Sequence, residues 1–419
     1  MSAWLLPESL ADVLPSDARR VEELRRRLLD CFRRYGYELV MPPLLEYAES
    51  LFSGTGQGLD LKTFKLIDQE SGRTLCVRAD TTPQVARIDA HILNRSGVTR
   101  LCYCGPVLHT RTDALYATRD PLQCGAELFG HAGVEADIEI LRLAVDALSM
   151  AGLTGVRIDL THADLLPALL EGTEGAAARA SALHGPLARK DRAAVAELLD
   201  GLPQETAAAV LALLGLYGFA SGPGGQADQG MNKADASAGH QSVGRAGVLE
   251  RARALLPSSP RVTAALNNLQ TLCDAINGSG RGVTAMVDLA DFRGYNYHSG
   301  VMFAAYAPGS PNAVLRGGRY DNVGEVFGRR RAATGFSFDL KALTELAPSQ
   351  AQRTRAIRAP WAVDAALDAR IRALRDAGEI VVQSLPGSGQ EEEEFEFDRE
   401  LVAIGSEWQL KAVGAGEKQ

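Results

Sequence analysis

Strand-like segments in this 419-residue chain come in pairs joined by polar turns, and that pairing limits the folds open to it more than any other feature. Thr63 to Ile67 and Thr74 to Val77 flank a turn at Glu70-Ser71-Gly72, and Arg100 to His109 and Leu122 to Phe129 flank a longer polar loop. Helical segments stand before and between these pairs instead of alternating with single strands. That order points to an α+β domain, an antiparallel sheet flanked by helices.

The first helix is expected from a cap at Ser16 or Asp17 to about Tyr35, with Val21, Leu24, Leu28, Cys31 and Phe32 on one face, and Gly36 ends it. Thr82 to Leu93 reads as a helix with Pro83 in its first turn, and Asp137 to Met150 as another. From Ala163 to Leu216 the pattern is Ala/Leu-rich and helical, and helices resume from Val248 to Ile276. Residues 163–276 therefore read as a helical insertion, and its segment 221–247, rich in Gly, Ala, Ser and Gln, as a mobile loop. Strands return at Thr284 to Asp288, Gly300 to Tyr306 and Thr334 to Phe338, closing a core of residues 1–345. Residues 356–419 read as a small α/β appendage. Its helix is expected over Ala359-Pro360 to Ala377, followed by strands at Glu379 to Gln383, Arg399 to Ile404 and Glu407 to Ala412, with an acidic run at Glu391 to Glu394.

Composition narrows the functional classes. The formal net charge is -8, and Arg329-Arg330-Arg331 is too short to be the basic stripe that a long nucleic-acid contact needs. No apolar run approaches the 18 or so residues of a membrane span, and the amino terminus lacks the pattern of a signal peptide. A cytoplasmic protein is expected. Six cysteines at no regular disulfide spacing suit reduced, buried thiols. Cys102, Cys104, His109 and Cys124 invite a zinc reading, but no Cys-x-x-Cys pair accompanies them, and no metal site is expected. Gly54-Thr55-Gly56-Gln57-Gly58 lacks the strand and helix that would make it a phosphate-binding loop. No cofactor is implied.

Several segments resemble histidyl-tRNA synthetase, in that family's order. Gly36-Tyr37-Glu38 with Met41-Pro42-Pro43 and Glu46 resembles its motif 1, the dimer-interface element. Arg78-Ala79-Asp80-Thr81-Thr82 with Gln84-Val85-Ala86-Arg87 is similar to its amino-acid-binding turn, and Leu101 to Glu127 to its motif 2 hairpin. Phe292-Arg293-Gly294-Tyr295-Asn296-Tyr297-His298-Ser299-Gly300 resembles the histidine-specific segment. Arg316-Gly317-Gly318-Arg319-Tyr320-Asp321 is similar to a strand-turn of the same family, and Gly335-Phe336-Ser337-Phe338 opens motif 3. The resemblance implies the fold of a class II aminoacyl-tRNA synthetase over residues 5 to 345.

The departures carry the functional expectation. The synthetase's motif 2 holds ATP with Arg-x-Glu, and this chain has His109 and Arg111 there. Its motif 3 holds the γ-phosphate with an arginine, and here the matching residue is Ala342, following Asp339 and Lys341. Removing one preorganised donor costs roughly 10² to 10³ in rate, so adenylate formation is expected to be lost. The amino-acid side is retained: the resemblance implies histidine binding by Asp80, Thr82, Gln123, Glu127, Arg293 and Tyr297, with His298 in place of a tyrosine.

Arg78 to Pro83, Phe292 to Gly300 and Thr334 to Leu340, with the truncated carboxy-terminal appendage, resemble a second family over nearly the whole chain: the regulatory subunits of ATP phosphoribosyltransferase. That resemblance implies a non-catalytic partner for the short-form catalytic subunit in the first step of histidine biosynthesis. It also implies a homodimer within a hetero-oligomer, L-histidine as feedback effector and no tRNA. The residues alone fit histidine in the inherited pocket or at a subunit interface equally well. An active synthetase and a free-standing histidine or RNA sensor are the competing readings.

Overall fold

The computed structural model describes residues 4–52, 61–112, 117–221, 246–293, 298–348, 353–387, 395–405 and 407–413. The glycine-rich stretch 54–58, most of the loop 221–247 and the acidic run 391–394 lie outside them. Two compact units result, one of residues 1–12 and 20–348, the other of residues 13–19 and 349–419.

The larger unit is built on a nine-stranded sheet. Its strands are β1 (Glu38–Leu39), β5 (Thr99–Pro106), β6 (Leu122–Phe129), β7 (Arg157–His162), β8 (Tyr217–Phe219), β9 (Thr284–Asp288), β10 (Val301–Tyr306), β11 (Leu315–Arg319) and β12 (Ala333–Asp339). They lie in the order β1-β5-β6-β12-β11-β10-β7-β9-β8. Pairing is antiparallel from β5 to β7 and parallel at β1–β5 and β7–β9. The short edge strand β8 follows directly on the segment 163–216 expected to be helical, within residues 163–276. Strands β2 (Leu45–Tyr47), β3 (Lys65–Ile67) and β4 (Thr74–Val77) form a separate antiparallel sheet in the order β2-β4-β3.

Side chains alternate across each strand, so directly opposed residues share a face. One face carries the row Cys102, Ala126, Phe336, Gly317, Phe303, Leu160. It is buried with the helices Pro15–Arg34, Val134–Met150 and Pro260–Asn277 in one hydrophobic core. Phe32 meets Phe336 edge to face with centroids 6.0 Å apart. Gly317 is required here, because a Cβ would collide with the Phe303 ring and come within 2.8 Å of the Phe336 Cβ. The first helix begins at Pro15, so Ser16 and Asp17 lie inside its first turn instead of capping it.

The opposite face carries two rows that matter for function: Leu101, Glu127, Gly335, Gly318, Met302, Thr161, and beside it Tyr103, Gly125, Ser337, Arg316, Ala304, Asp159. Residues 163–276 include the helices Leu165–Leu169, Ala176–Ala188, Arg192–Leu198, Gln204–Leu213 and Val248–Leu255 ahead of the helix Pro260–Asn277.

In the smaller unit a sheet of order β14-β13-β15-β16 comprises β13 (Thr354–Pro360), β14 (Val381–Ser384), β15 (Phe395–Ile404) and β16 (Glu407–Ala412). Ala359-Pro360, expected to open a helix, instead ends the central strand β13, which pairs in parallel with both neighbours. Burial of Ile357 and Ala359 against Leu367, Ile371 and Leu374 outweighs alanine's helix preference. The helix starts later, at Ala365, where Asp364 accepts a hydrogen bond from the Ala366 amide at 2.8 Å.

Candidate functional site

The turn that precedes the helix Thr82–Arg87 supplies the first polar groups. Asp80 Oδ1 accepts from the Thr82 amide at 3.0 Å and from Gln123 Nε2 at 2.8 Å. Gln123 in turn accepts the Thr81 amide at 2.8 Å and donates to Ser337 Oγ at 3.2 Å. Two strands are thereby tied to the turn through one side-chain amide.

Glu127 lies four residues beyond Gln123, on the same face of β6. It is only 1% exposed, and three hydroxyls surround its carboxylate. Thr82 Oγ1 donates to Oε1 at 3.0 Å, Tyr103 Oη donates to the same oxygen at 3.1 Å, and Tyr320 Oη donates to Oε2. Burial pushes the Glu127 carboxyl up to about 8, against the lowering effect of these hydrogen bonds, led by the one from Tyr320. Such a group can stay neutral, or can ionise when a cationic ligand approaches it.

Beyond Glu127 the row runs over two glycines. A Cβ at Gly335 would overlap the Glu127 carboxylate, and one at Gly318 would lie 2.5 Å from Cδ2 of His298. Two glycines thus lie between Glu127 and His298, with the Glu127 carboxylate over one and the His298 ring over the other. His298 also lines a cavity of about 70 Å³ with Asp159, Thr161, Arg293, Met302 and Arg316.

Arg293 does not reach the Glu127 cluster. Its Nε and Nη2 donate to Asp291 at 2.7 and 2.6 Å, and Nη2 also donates to Tyr306 Oη at 3.0 Å. Burial alone would raise the Asp291 carboxyl, but the hydrogen bond from Arg293 brings it below its ordinary value. The structure therefore brings Asp80, Thr82, Gln123 and Glu127 together and leaves Arg293 and His298 further along the same face. Tyr297 lies outside the described residues.

The positions that the resemblance matches to the synthetase's nucleotide contacts lie as follows. His109 Nε2 is 2.9 Å from the Ala79 carbonyl, and Arg111 is exposed. Asp339 is structural: it caps the helix Leu340–Leu346 by accepting the Lys341 amide at 3.0 Å, and it also accepts the Leu122 amide at 3.0 Å. Lys341 pairs with Asp120 at 2.8 Å, and Ala342 offers no charge. Among the described residues no group of three or more His, Cys, Asp or Glu could hold a metal ion, and no helix is long and apolar enough to cross a membrane. Of the cysteines, Cys104 is only partly buried and the other five are buried.

Sequence reading did not single out Tyr103, Ser337, Asp291, Tyr306 or Arg316 for the site. Strand alternation was the available signal, because Tyr103, Ser337 and Arg316 share one row on the face that carries Glu127.

The family model described as Histidyl-tRNA synthetase matches residues 9–223 and 224–343. The model described as ATP phosphoribosyltransferase subunit HisZ C-terminal domain matches residues 354–411. The ATP phosphoribosyltransferase regulatory subunit of Ralstonia nicotianae is 56% identical over 411 residues, 98% of each chain. That of Burkholderia vietnamiensis is 55% identical over 408 residues, 97% of this chain and 99% of its own. A crystal structure titled as an ATP phosphoribosyltransferase regulatory subunit/histidyl-tRNA synthetase from Bacillus halodurans C is similar with a TM-score of 0.75 at 25% identity, covering 93% of this chain and 95% of that one. Histidyl-tRNA synthetase from a Nostoc species shares the fold, with a TM-score of 0.72 at 16% identity over 96% of this chain and 92% of its own. The α+β core is thus that of a class II synthetase. With more than half of its residues shared over nearly the full length of its relatives, this chain belongs to the family of ATP phosphoribosyltransferase regulatory subunits, non-catalytic relatives of histidyl-tRNA synthetase.

Proposed function

We propose that this chain activates a short-form ATP phosphoribosyltransferase catalytic subunit, which condenses ATP with phosphoribosyl pyrophosphate in the first step of histidine biosynthesis, and that L-histidine acts through it as feedback inhibitor. One contrast carries the reading. The side that would grip a nucleotide has His109 on a backbone carbonyl and Ala342 in place of a cation, while the amino-acid side keeps Asp80, Thr82, Gln123 and Glu127 in one hydrogen-bonded cluster. In this reading histidine's ammonium faces Asp80 and Gln123, and its imidazole faces Glu127 and His298, whose side chains cover Gly335 and Gly318. A protein that recognises the end product without activating it has the chemistry of a sensor.

Histidine shifts the activity of the complex only through unequal affinity for its active and inhibited states. By reciprocity, the active complex binds histidine less tightly than the inhibited one. The chain works as a cytoplasmic homodimer within a hetero-oligomer and binds no tRNA. Met41, Leu44, Leu45, Leu66 and Ile67, exposed around the small three-stranded sheet, support the homodimer as an apolar surface of the kind that a second copy covers.

The test is phosphoribosyl-ATP formation by a short-form catalytic subunit, measured alone, with this chain, and with this chain plus L-histidine. Formation that depends on the chain and falls with histidine is expected. No stimulation of a matched catalytic subunit would sink the activator role, and stimulation indifferent to histidine would sink the feedback role.

A further inference from the structure

An amino acid brings a carboxylate as well as an ammonium, and the carboxylate needs a cation. The two positions that sequence comparison offers for that duty are both engaged elsewhere. His109 has Nε2 on the Ala79 carbonyl, and Arg293 is clamped by both oxygens of Asp291 and by Tyr306. Arg316 is in the opposite condition. It is exposed, and it makes no hydrogen bond or ion pair among the described residues.

Its placement is specific. Arg316 stands directly opposite Ser337, which is hydrogen-bonded to Gln123, and Ser337 stands opposite Gly125. Two strand spacings, about 10 Å, thus separate the Arg316 backbone from Gly125 on β6, midway between Gln123 and Glu127. An extended arginine side chain spans most of that gap, up to the Tyr103 ring, which fills the space over Gly125. Arg316 also lines the cavity of about 70 Å³ together with His298 and Thr161. Thr161 is 4% exposed, and its hydroxyl has no hydrogen-bond partner among the described residues. An orphaned buried hydroxyl thus lies on the same cavity as a guanidinium that feels the Asp291 carboxylate without bonding to it, and such groups are open to a polar ligand.

We infer that Arg316 grips the carboxylate of the amino-acid effector and is a specificity-determining residue of the effector site. The inference rests on the histidine-binding reading above and deepens it. A planar guanidinium matches a carboxylate with two parallel hydrogen bonds. It would let the site distinguish an amino acid from the corresponding amine, which a site built only from Asp80, Gln123 and Glu127 could not do.

The experiment measures binding of L-histidine and of histamine, which has the same ring and amine without the carboxylate, to the full chain by calorimetry. The wild-type chain, Arg316→Ala and Arg316→Lys are compared. Arg316→Ala is expected to weaken L-histidine by about 10-fold or more while leaving histamine within about 2-fold, because only one of the two carries the group that Arg316 contacts. Arg316→Lys keeps the charge without the fork and should fall between. An unchanged ratio of L-histidine to histamine affinity in Arg316→Ala, with L-histidine still bound, would overturn the role of Arg316 alone. A wild-type chain that takes up no L-histidine would overturn this inference and the histidine-binding reading together.

Discussion

Asp291 holds Arg293 by two parallel hydrogen bonds, 2.7 Å from Nε to Oδ1 and 2.6 Å from Nη2 to Oδ2, and so keeps the guanidinium off the Glu127 cluster. Both side chains line the cavity that contains Arg316 and His298. Breaking the clamp should therefore add a second available cation to the proposed effector site and remove a nearby negative charge. Asp291→Asn is expected to tighten L-histidine binding several-fold, and adding Arg293→Ala should cancel that gain. Calorimetric titration of the single and double variants checks it, and weaker binding by Asp291→Asn would show that the clamp positions Arg293 for the ligand.

How much of this was legible in the sequence follows from the range of each interaction. Asp80, Thr82, Gln123 and Glu127 could be named as a group because they lie in two short segments, a turn and one strand, that resemble the synthetase's. The clamp on Arg293 was not, although Asp291 is only two residues away, because nothing in the sequence tells whether a local carboxylate or a distant ligand takes the guanidinium. The hydrogen bond from Tyr320 to Glu127 spans 193 positions and depends on β6, β12 and β11 lying side by side. Strand β13 was misread for a related reason: Ala and Pro at 359 and 360 favour a helix opening locally, and only burial between two parallel neighbours makes the segment extended.

The Glu127 carboxyl gives a pH signature. Its value of about 8 exceeds the ordinary value of about 4.3, because burial opposes ionisation. The folded chain thus holds a proton that the unfolded chain releases. This stabilising contribution is complete below about pH 4.3 and is lost as pH climbs toward and through 8. Glu127→Gln cannot ionise, so its Tm relative to wild type should rise by a few degrees, roughly 2 °C or more, between pH 5 and pH 8.5. A Tm difference that stays constant over that range, read by scanning fluorimetry, would mean that Glu127 is already charged at neutral pH.

The nucleotide side predicts a chemical silence that one substitution cannot end. ATP–pyrophosphate exchange dependent on L-histidine should stay at background for the wild-type chain. It should stay there for His109→Arg as well, since Arg111 and Ala342 still leave the adenine end and the γ-phosphate without their partners. Groups that act together in stabilising one transition state are not restored one at a time. Exchange above background in either protein, in a preparation free of host synthetase, would return the chain to the enzymes.

Stability of the large unit should depend strongly on the buried pair Arg319–Asp137. Arg319 is 6% exposed and Asp137 1%. Nε and Nη2 donate to Asp137 Oδ2 at 3.1 and 3.0 Å, and the same guanidinium donates to the carbonyls of His131 and Gly133 just ahead of the helix Val134–Met150. Burial raises the Asp137 carboxyl and Arg319 opposes that rise, so removing the arginine leaves an acid that must be buried either charged and unpaired or protonated. Breaking a buried pair from one side costs about 3–5 kcal/mol, and Arg319→Met should lose that much in urea unfolding of the large unit. Asp137→Asn leaves Arg319 its two carbonyls and its 3.3 Å contact with Asp321, so its loss should be smaller. A cost under about 1 kcal/mol for Arg319→Met, the range of exposed pairs, would show that water reaches this carboxylate and that the helix is anchored to the sheet by its apolar face alone.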